Sequence, residues 1–186
     1  MAKVYEFLAN GFEEVEGLGP VDILRRGGVD IKTVSVTGTP WVETSHGIIL
    51  KADLTIEEAD LSDADMLLLP GGLPGATNLR DHEGVRKALV AQAAKGGRIG
   101  AICAAPLVLG SLGLLEGKKA TCYPGFEEYL EGATVLTSDR SVRVVTDGNV
   151  TTSRGMGTSI ELGLELSSIL LGKEIADKLA LAIQHI

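Results

Sequence analysis

Apolar residues along this chain fall into short strand-like runs separated by stretches with helical spacing, and the two alternate from the first residues onward. That alternation predicts repeated βαβ units around a mostly parallel sheet. Residues 3–8 form the first predicted strand. Residues 13–26 carry Val15, Leu18, Val21 and Leu24 at a spacing of three, which keeps one helix face inward, and Gly27-Gly28 ends the helix. Residues 29–36 alternate as a strand, 38–41 read as a turn, and 47–52 as a strand or one arm of an antiparallel hairpin. Met66-Leu67-Leu68-Leu69 is a continuous apolar strand that stops in Pro70-Gly71-Gly72-Leu73-Pro74-Gly75. A tight glycine-permitted loop is predicted there, at the end of the strand where open α/β sheets put their sites.

Farther along, residues 85–94 read as a helix stopped by Gly96-Gly97, and 98–102 as a strand running directly into Cys103, with a helix over 104–112. Residues 142–146 and 150–152 flank Asp147-Gly148-Asn149, a hairpin signal. Helices over 157–171, closed by Gly172, and over 174–183 complete the pattern.

Composition narrows this picture to one compact α/β domain over residues 1–186, with 45 % apolar residues, 4 % aromatics and 24 glycines. Formal net charge is −8, and the 17 basic residues are scattered without an arm or stripe for phosphates. Nucleic acid is therefore not an expected partner. No apolar run approaches the roughly 20 residues of a membrane span, and the N-terminus enters a strand without a signal-like stretch. A cytoplasmic location follows as the expectation. In that compartment Cys103 and Cys122 are expected as two free thiols, and their spacing matches no metal knuckle.

Gly100-Ala101-Ile102-Cys103-Ala104-Ala105-Pro106 puts small residues two before and two after a cysteine where a strand must turn sharply into a helix. That is the steric requirement of a nucleophile elbow. A cysteine at such a turn meets unpaired backbone N–H groups, which favour the thiolate, so its pKa is expected below the usual value of about 8.5. A buried inert cysteine filling the gap between strand and helix is the competing reading. Gly72, at the preceding strand end, and Ala104 could offer backbone N–H groups as an oxyanion hole, or Gly72 could simply make a tight turn.

Several separated segments match one known family in order and over essentially the whole chain. Gly11-Phe12-Glu13-Glu14-Val15-Glu16 with Pro20-Val21-Asp22 and Arg25-Arg26 is similar to the first helix of the ThiJ/PfpI family, in the branch containing the parkinsonism-associated protein deglycase. Leu69-Pro70-Gly71-Gly72, Ala101-Ile102-Cys103-Ala104-Ala105-Pro106 and Thr152-Ser153-Arg154-Gly155 resemble its other hallmark segments. The resemblance implies a flavodoxin-like three-layer sandwich with a mostly parallel central sheet and a nucleophile elbow. It also implies that Cys103 is a nucleophile and redox-sensitive thiol, with the Glu16 carboxyl hydrogen-bonded to its sulfur. In an apolar pocket such a carboxyl has a raised pKa and can act as general acid and base; on sequence alone Glu16 also fits a solvated residue of an acidic first turn. The stretch Ser153-Arg154-Gly155-Met156 is placed near the pocket and the subunit contact by the same resemblance, although Arg154 equally fits a surface cation.

The chain departs from the family at Tyr123, where human-type members carry a histidine as the third polar group of the pocket. A phenol with a pKa of about 10 is a poor proton shuttle at neutral pH, which leaves the proton transfers to Glu16. His82 and His185 read as solvated surface groups. His46 falls where related proteins often carry an arginine near the pocket rim or dimer contact. Cys122 fits a resolving thiol for oxidised Cys103 or an inert strand residue.

The function implied is a cofactor-independent, metal-independent enzyme in which the Cys103 thiolate adds to methylglyoxal, glyoxal or an early glycation adduct and Glu16 moves the protons. The GxGxxG fingerprint of dinucleotide sites is absent. A redox sensor or stress-responsive chaperone built on oxidation of Cys103 uses the same residues. A cysteine peptidase is disfavoured, because Ala104 stands where that branch has a histidine. Related proteins form homodimers through the first helix; here Val15, Gly17, Leu18 and Gly19 would allow close approach of two copies, with Glu13 near Arg26 and His46 at the contact.

Overall fold

The computed structural model describes residues 1–185. Seven strands form one sheet: β1 (Lys3–Leu8), β2 (Asp30–Ser35), β5 (Leu54–Thr55), β6 (Met66–Leu69), β7 (Arg98–Ile102), β10 (Val144–Asp147) and β11 (Val150–Ser153). Their spatial order is β10-β11-β7-β6-β1-β2-β5. Every pairing in it is parallel except the β10–β11 hairpin. The helices are α1 (Glu14–Arg26), α2 (Gly75–Asp81), α3 (Glu83–Ala94), α4 (Pro106–Gly110), α5 (Ser159–Leu171) and α6 (Lys173–Ala182). Outside the main sheet lie the antiparallel hairpin of β3 (Trp41–Glu43) and β4 (Ile49–Lys51), and the small parallel pair of β8 (Lys119–Ala120) and β9 (Thr134–Val135).

Strands covered by helices on both faces read as continuous apolar runs, and β6 shows why. Leu67 and Leu69 enter a cluster with Leu79, Leu89 and Leu107 on the α2–α3–α4 side. Met66 and Leu68 enter another with Leu24, Leu162 and Leu166 on the α1–α5 side. The result is the three-layer, flavodoxin-like sandwich expected. Close approach of α1 and α5 depends on Gly163, where a Cβ would lie 2.9 Å from Ile23 Cβ.

Departures from the predicted elements are local. Trp41, read as the end of a turn, opens β3. The helix expected over 104–112 is reduced to α4, which starts after three turn residues and stops at Gly110. A Cβ on Gly110 would overlap the Tyr129 carbonyl, so the 127–131 segment packs tightly against the end of this short helix. His82 is not a free surface group: it is half-buried and its Nδ1 accepts from Val85 N–H at 3.3 Å, capping α3.

Candidate active site

The C-terminal ends of β6 and β7 bring the site together. Cys103 follows β7 with φ of 64°, in the left-handed region that non-glycine residues rarely enter. Two hydrogen bonds hold it there: its N–H donates to the Ser153 carbonyl and its own carbonyl accepts from Tyr123 N–H, both at 2.9 Å. A strained residue pinned on both sides and turned toward a cavity is the geometry of a nucleophile elbow. The backbone N–H groups of Gly72 and Ala104 both face its sulfur and favour its ionised form.

Glu16, in the first turn of α1, is only 1 % exposed. Its carboxylate accepts from Gly71 N–H at 3.0 Å, from Met156 N–H and from the Cys103 thiol. Gly71 lies between the two side chains; a Cβ there would sit 2.5 Å from Glu16 Oε2 and 2.6 Å from Cys103 Cβ. Burial, with the Glu13 charge adding to it, raises the Glu16 carboxyl to about 7, although its hydrogen bonds pull the other way.

The thiol moves opposite to the expectation. Burial and then the adjacent Glu16 carboxylate push Cys103 well above the ordinary thiol range, outweighing the Gly72 and Ala104 N–H groups. A five-residue α4 that begins three residues downstream supplies too little dipole to reverse this. A thiolate is favoured here only when the proton sits on Glu16, where the carboxyl donates to sulfur rather than repelling it.

Cys103 and Glu16 open into a cavity of about 470 Å³ whose walls include Tyr123, Arg154, Met156 and Thr158, with Glu13 and His46 at its mouth. Tyr123 is 51 % exposed and stacks edge-on with Phe126. Arg154 is half-buried and donates to the carbonyls of Thr137 (2.7 Å) and Asp139 (2.9 Å), so it braces the wall and is not a free surface cation. Ser153 does not reach the cavity. Its hydroxyl is consumed by Thr158 Oγ1 (2.6 Å) and the Arg143 carbonyl (3.1 Å) behind the wall. Gly155 and Met156, from the stretch that the resemblance places near the pocket, line the cavity, and the wall supplied by Thr158 was not predicted.

The remaining predicted residues divide between rim and surface. Val15 and Leu18 are each 42 % exposed on α1. Arg26 pairs with Asp22 at 2.6 Å, about 20 Å along the same helix from Glu13. His46 Nδ1 lies 2.9 Å from Glu14 Oε1, and this contact raises its pKa. Glu13, Glu14 and His46 are the one group among the described residues whose donor atoms lie close enough, within 4.8 Å, to hold a metal ion. Hydrogen bonding within α1 and the Glu14–His46 contact already engage all three. Cys122 is fully buried and free, with its sulfur against Thr137 Oγ1 at 3.4 Å.

A family model described as the DJ-1/PfpI family matches residues 2–169. The chain belongs to the DJ-1/PfpI family. It is 44 % identical over 176 residues to protein DJ-1 homolog B of Arabidopsis thaliana, covering 94 % of this chain and only 39 % of that longer protein. The Parkinson disease protein 7 homolog of Danio rerio is 38 % identical, over 91 % of this chain and 89 % of its own length. A Caenorhabditis elegans relative at 32 % identity, covering 90 % of this chain and 87 % of its own, carries the name glutathione-independent glyoxalase. Among solved structures, a cysteine-to-alanine mutant of a DJ-1 superfamily protein from Salmonella typhimurium superposes with a TM-score of 0.94 at 32 % identity, over all of both chains. Oxidized Toxoplasma gondii DJ-1 superposes at 0.89 with 34 % identity, over 99 % of this chain and 98 % of its own.

Within the DJ-1/PfpI family frame the fold of this chain is accounted for from β1 to α5, and α6 lies beyond the matched segment. No helix among the described residues is long and apolar enough to cross a membrane.

Proposed function

We propose that this protein is a cysteine-dependent glyoxalase-type enzyme that acts on small dicarbonyls such as methylglyoxal and glyoxal, or on early glycation adducts. The observation that carries this reading is the buried Glu16 carboxyl, raised to about 7 and hydrogen-bonded with a thiol on a strained turn. A group with that pKa can give and take a proton at neutral pH.

With the proton on Glu16, the Cys103 thiolate adds to the aldehyde carbon and forms a C–S bond. The oxygen takes the Glu16 proton under the Gly72 and Ala104 N–H groups, giving a hemithioacetal. Glu16 then removes a proton from that carbon and returns it to the neighbouring former ketone carbon, while the hemithioacetal O–H proton passes to the former ketone oxygen. The product is a lactyl thioester, which water hydrolyses to lactate and the free thiol. Tyr123 stands at the cavity wall and shapes it, while the proton steps stay with Glu16.

D-lactate formation from methylglyoxal by wild type, Cys103→Ser and Glu16→Gln tests the scheme. Loss by at least about 100-fold in both variants is expected; turnover that survives Cys103→Ser would remove it.

A second reading, redox sensing, is favoured by one specific observation: two backbone N–H groups aim at a sulfur that faces a cavity, and they would equally stabilise a sulfinate. Sulfinate formation on Cys103 without dicarbonyl turnover would select it. Self-association through the exposed Val15 and Leu18 of α1 fits either reading, and a solution mass that stays that of one chain at every concentration would exclude it.

A further inference from the structure

Glu16 is not held by its own helix alone. Three hydrogen bonds close a ring across two segments: Glu13 N–H donates to the Gly71 carbonyl at 3.0 Å, Gly71 N–H donates to Glu16 Oε2 at 3.0 Å, and Glu16 N–H donates to Glu13 Oε2 at 2.7 Å. The ring ties the start of α1 to the loop after β6. Gly72, whose N–H faces the sulfur, is locked against the same residue; a Cβ there would fall 2.4 Å from the Glu13 nitrogen. The Glu13 main chain makes the bond to that loop, and its side chain, besides capping α1, lines the cavity.

We propose that Glu13 is a positioning residue for the reacting pair: it closes the ring that fixes the Glu16 carboxyl beside Cys103, and its negative charge opposes loss of the proton that the two share. The inference rests on the reading of Glu16 and Cys103 as a pair. Other charged or titratable groups face Glu16 across the cavity from three further elements: His46 from the β3–β4 turn, Tyr123 from the loop after β8 and Arg154 after β11. His46 is engaged by Glu14, and the Arg154 guanidinium points to the Thr137 and Asp139 carbonyls. The guanidinium is thus turned away, whereas His46, within 4.8 Å of the Glu13 carboxylate as well, offsets part of that charge only when it is protonated. Losing that charge makes ionisation of the pair easier whichever of the two partners holds the remaining proton.

The test is the pH profile of Cys103 alkylation by iodoacetamide, with the adduct assigned by mass spectrometry so that buried Cys122 does not contribute. Glu13→Gln and Glu13→Ser both keep an oxygen able to cap α1 and remove the charge. Their midpoints are expected to fall by roughly half a unit or more, the effect of a unit charge within about 6 Å even at the dielectric of water. Glu13→Asp restores charge and cap together and is expected to return the midpoint to the wild-type value. Unchanged midpoints in both neutral variants would overturn the proposal, as would an Asp variant displaced as far as Gln. Because alkylation needs no dicarbonyl, a wild type that shows these shifts but makes no lactate would leave the Glu13 role standing and remove only the glyoxalase reading.

Discussion

Two carboxylates lie under the same helix layer and meet different fates. Glu16 accepts hydrogen bonds from two segments and a thiol, and burial leaves its pKa at about 7. Glu6, in the middle of β1, is wholly buried, and neither of its oxygens has a hydrogen-bond partner. Burial drives it well above the ordinary carboxyl range, and the Arg25 charge only partly opposes this. The strand's two-residue period puts Glu6 on the face of Val4, which packs against Val21 and Leu24 of α1. Burial alone therefore yields a neutral, silent acid. The surrounding donors bring Glu16 back into the range where a proton can move.

Removing the donors from one and the burden from the other should break the comparison in opposite directions. The largest effect is expected at Gly71, whose N–H serves Glu16 and whose missing Cβ leaves room for both reacting groups. Gly71→Ala must push Glu16, Cys103 or the Ile102 carbonyl aside, since all three lie within 2.9 Å of the new carbon. Lactate formation should fall by about 100-fold or more, because displacements near 1 Å cost that much, with about 1–3 kcal/mol of stability lost to overpacking. Near-wild-type turnover in this variant would mean that the carboxyl and thiol do not act through the geometry described.

The site was partly legible in the chain before any coordinates. Continuous apolar runs gave β6 and β7, and small residues around Cys103 gave the elbow, because steric demands leave direct marks on sequence. The α2 helix was missed, since Gly75-Ala76-Thr77-Asn78 after Pro74 has turn composition and its stability comes from burying Ala76 and Leu79. The two-residue strands β8 and β9 carry no period to read. The direction of the Cys103 shift was misread because it depends on burial and on a carboxylate 87 positions away in the chain. Glu6 was overlooked for the same reason: a lone acid in a strand looks solvent-facing until helices cover both sides of the sheet.

Glu6 provides the smaller and more selective test. Its folded-state pKa is raised, so the stability of the native state is fully present below the unfolded carboxyl value and is lost as pH rises toward the folded one. Wild type should thus lose stability between pH 5 and 8, a range where model carboxyls are already ionised in the unfolded chain. Glu6→Leu removes both the titration and the unpaired polar atoms, so urea unfolding at pH 8 should show it about 1–3 kcal/mol more stable than wild type. Glu6→Gln removes the titration but leaves an amide with the same lack of partners, and its gain should be smaller. Both variants should reduce the pH dependence to the part that Glu16, also raised, contributes, while leaving lactate formation unchanged, because Glu6 touches neither the cavity nor the pair. A Leu variant less stable than wild type at pH 8 would show that the carboxyl is served by an internal water or by Arg25. The contrast with Glu16 would then be one of partner identity rather than of partners present or absent.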